Sequence, residues 1–413
     1  MASSRKDFQG RVLRKGEGQR KEDGRYVYRY TTPYGKRCSV YGTTLEELRE
    51  KEKQLVRDQL EGLDTYVAGS STLNYVFDRY MSTKAELRGT TRTNYLYMYN
   101  RFVRNTFGKM ILCDIKYSDV LRYYNELLDD KDIKINTLET IHGVIHPTLQ
   151  LAVRDNIIRN NPSDGVMAEL KKKRKKHSSL RHALSQEEQV EFLNYVVKSP
   201  IHYRWAPLFT VMLGTGCRVG EVIGLRWEDI DLDNRMISIN HSVTYYPRCD
   251  NSYKCEFEVS LPKTEAGIRT IPMLDEVYEA FLEEKKYQEE GEGLCQVELN
   301  GMTGFIFQNR FGELHNPAAI NRAIKRIVEN HNAEEIVSAE RQKRRAIVIP
   351  NFSCHILRHT FCTRFCENET NIKVIQSVMG HADIQTTYDI YAEVTDLKKK
   401  QSFEELSKKM KIF

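Results

Sequence analysis

One stretch near the C-terminus, Ser353 to Tyr391, constrains this chain more than any other. It reads SCHILRHTFCTRFCENETNIKVIQSVMGHADIQTTYDIY. His355 and Arg358 lie three apart, and positions i and i+3 share a helix face, so both can point at one ligand. Ser353 is a candidate N-cap, and Leu357, Phe361 and Phe365 recur every four residues on a face that can be buried. Ile372, Ile375 and Val378 continue the helical period, and Gly380 has the place and type to end that helix. His381 then falls at a tight turn. A further helix is expected from about Asp383, with Tyr388 and Tyr391 about one turn apart.

The chemistry that suits this set is attack of a phenol on a phosphodiester. Guanidinium and imidazole donors can hold the non-bridging oxygens, and Arg matches phosphate with a planar fork. Phosphoryl transfer is mostly positioning and charge stabilisation, and Tyr can serve as the covalent nucleophile. One Arg is too little for this, so a second cationic motif should lie upstream. The stretch LFTVMLGTGCRVGEVIGLRWEDIDL, Leu208 to Leu232, supplies it: an apolar helix, a Gly-rich turn, then Arg218. Gly214 and Gly216 allow close backbone approach there.

GTGCRVGEVIGLRWEDID, PKT, HILRHTF, GH and TTYDIY follow in that order between about Trp205 and Val394. Together they resemble the tyrosine recombinase family of the phage-integrase type. The resemblance implies six catalytic positions: Arg218, Lys263, His355, Arg358, His381 and Tyr391. Arg218 and Arg358 would hold the phosphate. Lys263, in the turn LPKTEAGIRTIP, would give a proton to the leaving 5′ oxygen, help worth roughly 10²–10⁴-fold. His355 would act on protons or hold an oxygen, and His381 would bond one. Tyr391, in T-T-x-D-x-Y, would be the nucleophile, with Tyr388 the neighbour to test against it.

Each residue also has a plainer reading: a surface Arg, a solvated hairpin Lys, satisfied structural histidines. The ordered set overturns those. Glu221, three after Arg218, is either the acid that orients that Arg or a helix-surface acid. His359 is turned ~100° from Arg358 on the helix and reads as packing or capping. Neither nucleotide cofactor nor metal is required, because the bond energy stays in the phosphotyrosine. No P-loop and no two-metal carboxylate set is written in the chain. The odd count of nine cysteines has no pairing pattern. Cys354, Cys362 and Cys366 beside His355 invite a zinc reading, but a Cys-x3-Cys pair is poor zinc spacing, and buried small apolar residues are expected.

The 413 residues leave room for about two or three domains with their own cores. No stretch approaches the ~20 apolar residues that span a bilayer, and the basic start does not read as a secretion signal. The net charge of +6 is small but unevenly placed. Strands are expected at Gly10–Arg14, Arg25–Thr31 and Arg37–Tyr41, then a helix at Leu45–Leu60. Tyr26, Tyr28 and Tyr30 alternate with Arg25, Val27 and Arg29. That sheet is either a solvated face or a groove-binding surface; its likeness to the arm-site domain of conjugative-transposon integrases favours DNA, with Arg25, Arg29, Lys36 and Arg37 touching it.

AGSST, Ala68 to Thr72, is a linker. Helices are expected at Leu73–Lys84, Arg88–Phe107, Tyr117–Leu128 and Asn136–Asn156, and the resemblance makes this a core-site DNA-binding domain in which Arg92 touches DNA. Lys171, Lys172, Lys173 and Arg174 belong to the six-cation run KKKRKK. A run of this kind is usually a solvated linker; between two DNA-binding domains a phosphate-tracking strap is favoured, and a nuclear-import signal is not.

Further on, the pattern gives strands at Met236–Asn240, Glu256–Leu261, Arg269–Pro272 and Phe305–Gln308. Helices follow at Glu276–Gln288 and Pro317–Glu329, with a charged surface excursion at Ala333–Ala346. An amphipathic helix at Leu397–Phe413 packs either in cis or on a neighbouring protomer.

The expected fold is multidomain α+β: residues 1–66 as an arm-site DNA-binding domain of three strands and a helix, 73–168 as an all-helical core-site domain, 178–413 as a mixed, mainly-α catalytic domain with a small antiparallel sheet. The implied activity is site-specific integration and excision of a mobile element through a 3′-phosphotyrosyl link. The implied partners are double-stranded DNA at core and arm sites, a homo-tetramer on DNA, an excisionase and a host DNA-bending protein, in a bacterial cytoplasm at the nucleoid. The alternatives are a type IB topoisomerase-like enzyme and a catalytically silent DNA-binding protein.

Overall fold

The computed structural model describes residues 5–31, 37–60, 71–131, 133–173, 183–247, 254–262, 265–293 and 295–392. Lys36, Arg174, Lys263 and the helix expected at Leu397–Phe413 lie outside them, as does the side chain of Lys173. The chain divides into two compact units, with the break near Ser178. Among the described residues no helix is long and apolar enough to cross a membrane.

The first element group is an antiparallel sheet in the order β1 (Glu17–Gln19), β2 (Tyr26–Thr31), β3 (Arg37–Gly42), followed by helix α1 (Leu45–Leu60). Tyr26, Leu45 and Leu48 form its core, with Leu13 and Tyr28 against them. The tyrosine face of β2 therefore points inward, and Val27 on the other face is buried as well. The strand expected at Gly10–Arg14 is not formed. The Asp7 carboxylate accepts the Gln9 and Arg11 N–H groups at 2.9 and 2.8 Å, bending the chain into a turn. A lone Lys6–Val12 bridge remains, and the strand moves to Glu17–Gln19.

The helices that follow are α2 (Leu73–Ser82), α3 (Gly89–Met98), α4 (Tyr117–Asp129), α5 (Ile135–Arg154) and α6 (Val166–Lys173). Thr72 caps α2. The helix expected to run on to Phe107 passes into a wider turn at Tyr99–Val103. Tyr99 anchors it, stacked on Phe77 with centroids 3.5 Å apart and its hydroxyl donating to Asn74 Oδ1 at 3.0 Å. Tyr99, Tyr124, Leu138, Ile141 and Leu149 lie in one continuous core.

The second unit begins with α7 (Gln186–Lys198), capped by Ser185 with Glu188 reciprocating. Helix α8 (Ala206–Thr215) is apolar nearly all round and runs through the middle of the core, while α9 (Val219–Gly224) starts at Arg218. Strands β4 (Ile230–Asp231), β5 (Met236–Ile239) and β8 (Arg269–Pro272) form one antiparallel sheet. Between them, β6 (Ser242–Pro247) and β7 (Cys255–Ser260) make a hairpin; β4 and β6 escaped the sequence pattern. The expected strand at Phe305–Gln308 is a buried irregular run joined to Arg226 by a single bridge.

The remaining helices are α10 (Asp275–Tyr287), α11 (Pro317–Gln342), α12 (Cys354–Asn368), α13 (Ile372–Met379) and α14, residues 384–392. The charged excursion expected at Ala333–Ala346 is instead mostly the second half of α11. His331, Glu335 and Ala339, four apart, turn inward there. Glu335 also bonds Arg344 and accepts the Ile347 N–H at 2.9 Å, which folds the chain back past the helix end. Two of these three inward residues are polar, and polar residues do not announce burial.

Candidate active site

The site is built on the ends of two helices. Helix α8 ends at Gly216, which sits at φ +62°. A Cβ at Gly216 would collide with the Phe361 ring of α12, so only glycine lets the two helices approach this closely. The carbonyl of Gly216 accepts from Arg358 Nη1 at 2.7 Å.

Helix α13 ends at Gly380, again at φ +62°. The carbonyls that end a helix have no partner within it and carry its partial negative charge. Three consecutive ones here each receive a guanidinium. Val378 O accepts from Arg269 Nε at 2.7 Å, Met379 O from Arg358 Nη2 at 2.7 Å, and Gly380 O from Arg218 Nη2 at 3.1 Å.

Glu221 sits among these cations. Its Oε1 accepts from Arg218 Nη1 at 2.8 Å, and its Oε2 accepts from Arg269 Nη2 and from the Arg218 N–H, both at 2.8 Å. Burial pushes the Glu221 carboxyl up, but the bonds from Arg269 and Arg218 bring it below the ordinary value. Arg358 is buried, and burial together with the nearby Arg218 lowers it to about 10. Three cations against one carboxylate leave a place where an anion is welcome.

That place is a cleft of about 630 Å³ lined by Arg218, His355, Arg358, His359, Met379 and His381, among others. On α12 the cleft positions are 355, 358, 359 and 362, a single stripe at i, i+3, i+4, i+7. His359 therefore shares the cleft, contrary to its sequence reading as packing or capping: it lies one turn beyond His355 and about 40° round the helix from it. His359 Nδ1 is buried without a partner among the described residues. Ser353 holds the N-cap position of α12 without a side-chain cap bond; the cap comes from another helix, Asn321 Oδ1 accepting from the Cys354 N–H at 2.9 Å. Cys354, Cys362 and Cys366 are buried.

His381 is buried, and its Nδ1 bonds Thr387 Oγ1 at 2.9 Å. Burial, then the charges of Arg358 and Arg218, lower its imidazole to about 4. It is neutral at pH 7.

Thr387 and Tyr391 are one turn apart on α14. The Tyr391 ring packs on the small cluster of Cys362, Cys366, Ile375 and Met379 and does not line the cleft. Tyr388 is 51 % exposed. The structure thus gathers Arg218, His355, Arg358 and His381 at one cleft with Glu221 behind them, leaves the phenol of Tyr391 beside it, and does not describe Lys263.

Of the other residues the sequence points to for DNA, Arg29 and Arg37 are exposed on the sheet, and Arg25 is exposed just before β2. Arg92 is half-buried and donates to Met81 O at 3.4 Å. Lys171 pairs with Glu139 at 2.8 Å, and Lys172 is exposed. Sequence reasoning missed Arg269. Its parity was legible, since it alternates in step with Ile271 on β8, and an inward charge demands a partner.

An arginine–histidine clamp on a cleft, with a tyrosine-bearing helix at its edge, defines a phosphodiester-cutting enzyme of the covalent-tyrosine class. Residues 182–398 match the phage integrase family. Residues 1–59 match the DNA binding domain of Tn916 integrase, and residues 72–128 the phage integrase N-terminal SAM-like domain. The chain belongs to the phage integrase family, and it is a tyrosine recombinase of the integrase type, an enzyme that cuts and rejoins DNA.

It is 27 % identical over 408 residues to the transposase from transposon Tn916 of Enterococcus faecalis, covering 96 % of this chain and 95 % of that one. It is 23 % identical to the ICEBs1 integrase of Bacillus subtilis, covering 76 % of each. Among solved structures, the Tn1549 transposon integrase in complex with transposon right end DNA is similar at a TM-score of 0.69 and 23 % identity, covering 82 % of this chain and all of that one. A lambda integrase dimer bound to a core site is similar at 0.53 and 16 %, covering 92 % and 95 %.

Proposed function

We propose that Tyr391 attacks a scissile phosphate held by Arg218, Arg358, His355 and His381, with Lys263 protonating the leaving 5′ oxygen. One observation carries this: two guanidinium groups from distant parts of the chain meet His381 at one cleft, and His381 is bonded to Thr387, one turn before Tyr391. The phenol passes its proton to His355 and forms a 3′-phosphotyrosyl bond, while the bond from phosphorus to the 5′ oxygen breaks and that oxygen takes a proton from Lys263. The free 5′ hydroxyl of a second strand then attacks that phosphorus and gives its proton to Lys263, and Tyr391 leaves, taking its proton back from His355. Neutral His381 offers Nε2 to a phosphate oxygen, because Nδ1 is engaged with Thr387.

The DNA is double-stranded, a reading supported by the Tn1549 integrase in complex with transposon right end DNA and the lambda integrase dimer bound to a core site. Residues 73–168 take a core site, 1–66 an arm site, and 178–413 carry the chemistry. The exposed Arg25, Arg29 and Arg37 are the arm-site residues best placed to reach phosphate or base edges. The enzyme acts as a tetramer on two duplexes in the bacterial cytoplasm, integrating and excising a mobile element with an excisionase and a host DNA-bending protein.

Duplexes selected from a random pool by the full chain, rebuilt with a nick beside each candidate cleavage position, test this reading. A covalent protein–DNA adduct, with strands joined between two duplexes, is expected. Relaxation of supercoils without joining would indicate a topoisomerase-like enzyme, and DNA binding without an adduct would reject catalysis.

A further inference from the structure

Arg269 is buried, with its side chain 4 % exposed, and unlike Arg358 it does not line the cleft. Its donors are turned onto protein groups behind the cleft, so it is not placed to hold a phosphate. A buried cation is tolerated only where it is paired and hydrogen-bonded. Arg269 uses its donors on four parts of the site. Nη2 reaches Glu221 Oε2 at 2.8 Å; Nε reaches Val378 O at 2.7 Å, at the end of α13 just before Gly380 and His381. Nη1 reaches Gly267 O at 3.2 Å, in the short turn Glu265–Gly267, and Nη2 lies 3.8 Å from Cys217 Sγ, beside Arg218. The space a side chain at Gly380 would take is filled by Arg269, whose Nη1 lies 2.9 Å from where that Cβ would stand.

We infer that Arg269 is a positioning residue of the recombination reaction: it holds the Glu221 carboxylate in place, so that Glu221 aims Arg218 at the phosphate, and it ties the Glu265–Gly267 turn and the His381 turn to that same carboxylate. This rests on the reading of Arg218, Lys263 and His381 as the phosphate site. The charged and titratable groups that face Glu221 are Arg218 on its own element, Cys217 just before it, Arg269 from β8, Arg358 from α12 and His381 beyond α13. Arg269 makes the largest favourable contribution to its ionisation. Without Arg269, burial dominates and Glu221 takes up a proton as pH falls. A protonated Glu221 loses its charge-assisted grip on Arg218, and misplacement by about 1 Å costs on the order of 10²-fold.

The test is single-turnover adduct formation by the full chain on a nicked duplex, across about pH 6 to about pH 8.5, with duplex affinity and thermal unfolding measured alongside. For Arg269→Gln, affinity is expected within about threefold of wild type, and cleavage about 10²-fold slower at the acidic end. The ratio of variant to wild-type rate rises several-fold toward the alkaline end, as Glu221 regains its charge. Glu221→Gln combined with Arg269→Gln removes that rise. Arg269→Lys keeps the charge but cannot span Glu221, Val378 O and Gly267 O together; it is expected to cleave about tenfold slower with a flat ratio.

A folded Arg269→Gln that cleaves like wild type overturns the inference, as does a loss equal at every pH. Should Arg269→Gln not fold, Arg269→Lys at the wild-type rate overturns it, and a slowed Arg269→Lys with intact affinity supports it. The site reading itself fails differently: the wild type gives no adduct, or Tyr391→Phe still gives one.

Discussion

His381 is neutral in this fold because burial and the surrounding arginines disfavour its charged form, with a pKa of about 4 against an ordinary 6.5. Unfolding returns the ring to the ordinary value, so the unfolded chain binds the proton first as pH falls. This contribution to stability is complete above about pH 6.5, is lost progressively down to about pH 4, and changes no further below that. His142, in the helical domain, is also lowered to about 4 by burial and by His146, and adds a second fall in the same window. Comparing the pH dependence of unfolding for His381→Gln with wild type isolates the first: the variant should lose less stability between those limits. An unchanged slope would mean that His381 is solvated.

Gly380 makes a second prediction at this scale. Gly380→Ala forces a side chain into left-handed backbone, worth about 1–2 kcal/mol, and places Cβ 2.9 Å from Arg269 Nη1 and 3.0 Å from Ala266 O. Urea unfolding should show that loss, and adduct formation should slow as well.

At the scale of elements, α12 is the organiser. Its N-terminus is capped by Asn321 of α11, so Asn321→Ala should cost about 1 kcal/mol of stability in urea unfolding. It should also loosen His355 and slow cleavage more than it weakens DNA binding. A variant with unchanged midpoint and rate would show that the cap is idle.

Much of this level was legible in the chain. The i, i+3 pair on α12, the helix-ending Gly380 and the helices of the second domain follow from hydrophobic period and cap residues. What escaped shares one cause: polar groups that take backbone or burial roles through distant partners. Asp7 turns the first expected strand into a loop. Glu335 and His331 bury polar faces of α11. Arg269 hides on a short strand, and Asn321 caps a helix 33 residues on. Local pattern carries no record of such partners, whereas the order, type and spacing of the motif set do carry the cleft.

At the scale of the whole molecule, the arm-site segment and the remainder of the chain should read different DNA. Residues 1–66 and 73–413, offered a random duplex pool separately, are expected to recover unrelated sequences; recovery of one shared sequence would remove the arm-site assignment. Replacing Lys171 through Lys176 by Gln should reduce the salt dependence of full-chain affinity, by up to ~0.9 in slope for each phosphate no longer neutralised. An unchanged slope would leave that run a plain linker, with Lys171 serving only its bridge to Glu139.

The chemistry turns on which oxygen becomes joined to phosphorus. Digesting the trapped protein–DNA adduct with protease and nuclease, then sequencing the nucleotide-bearing peptide by mass spectrometry, reads this directly. The modification is expected on Tyr391, with Tyr388 in the same peptide unmodified. A nucleotide on Tyr388, or on any residue outside α14, would contradict it.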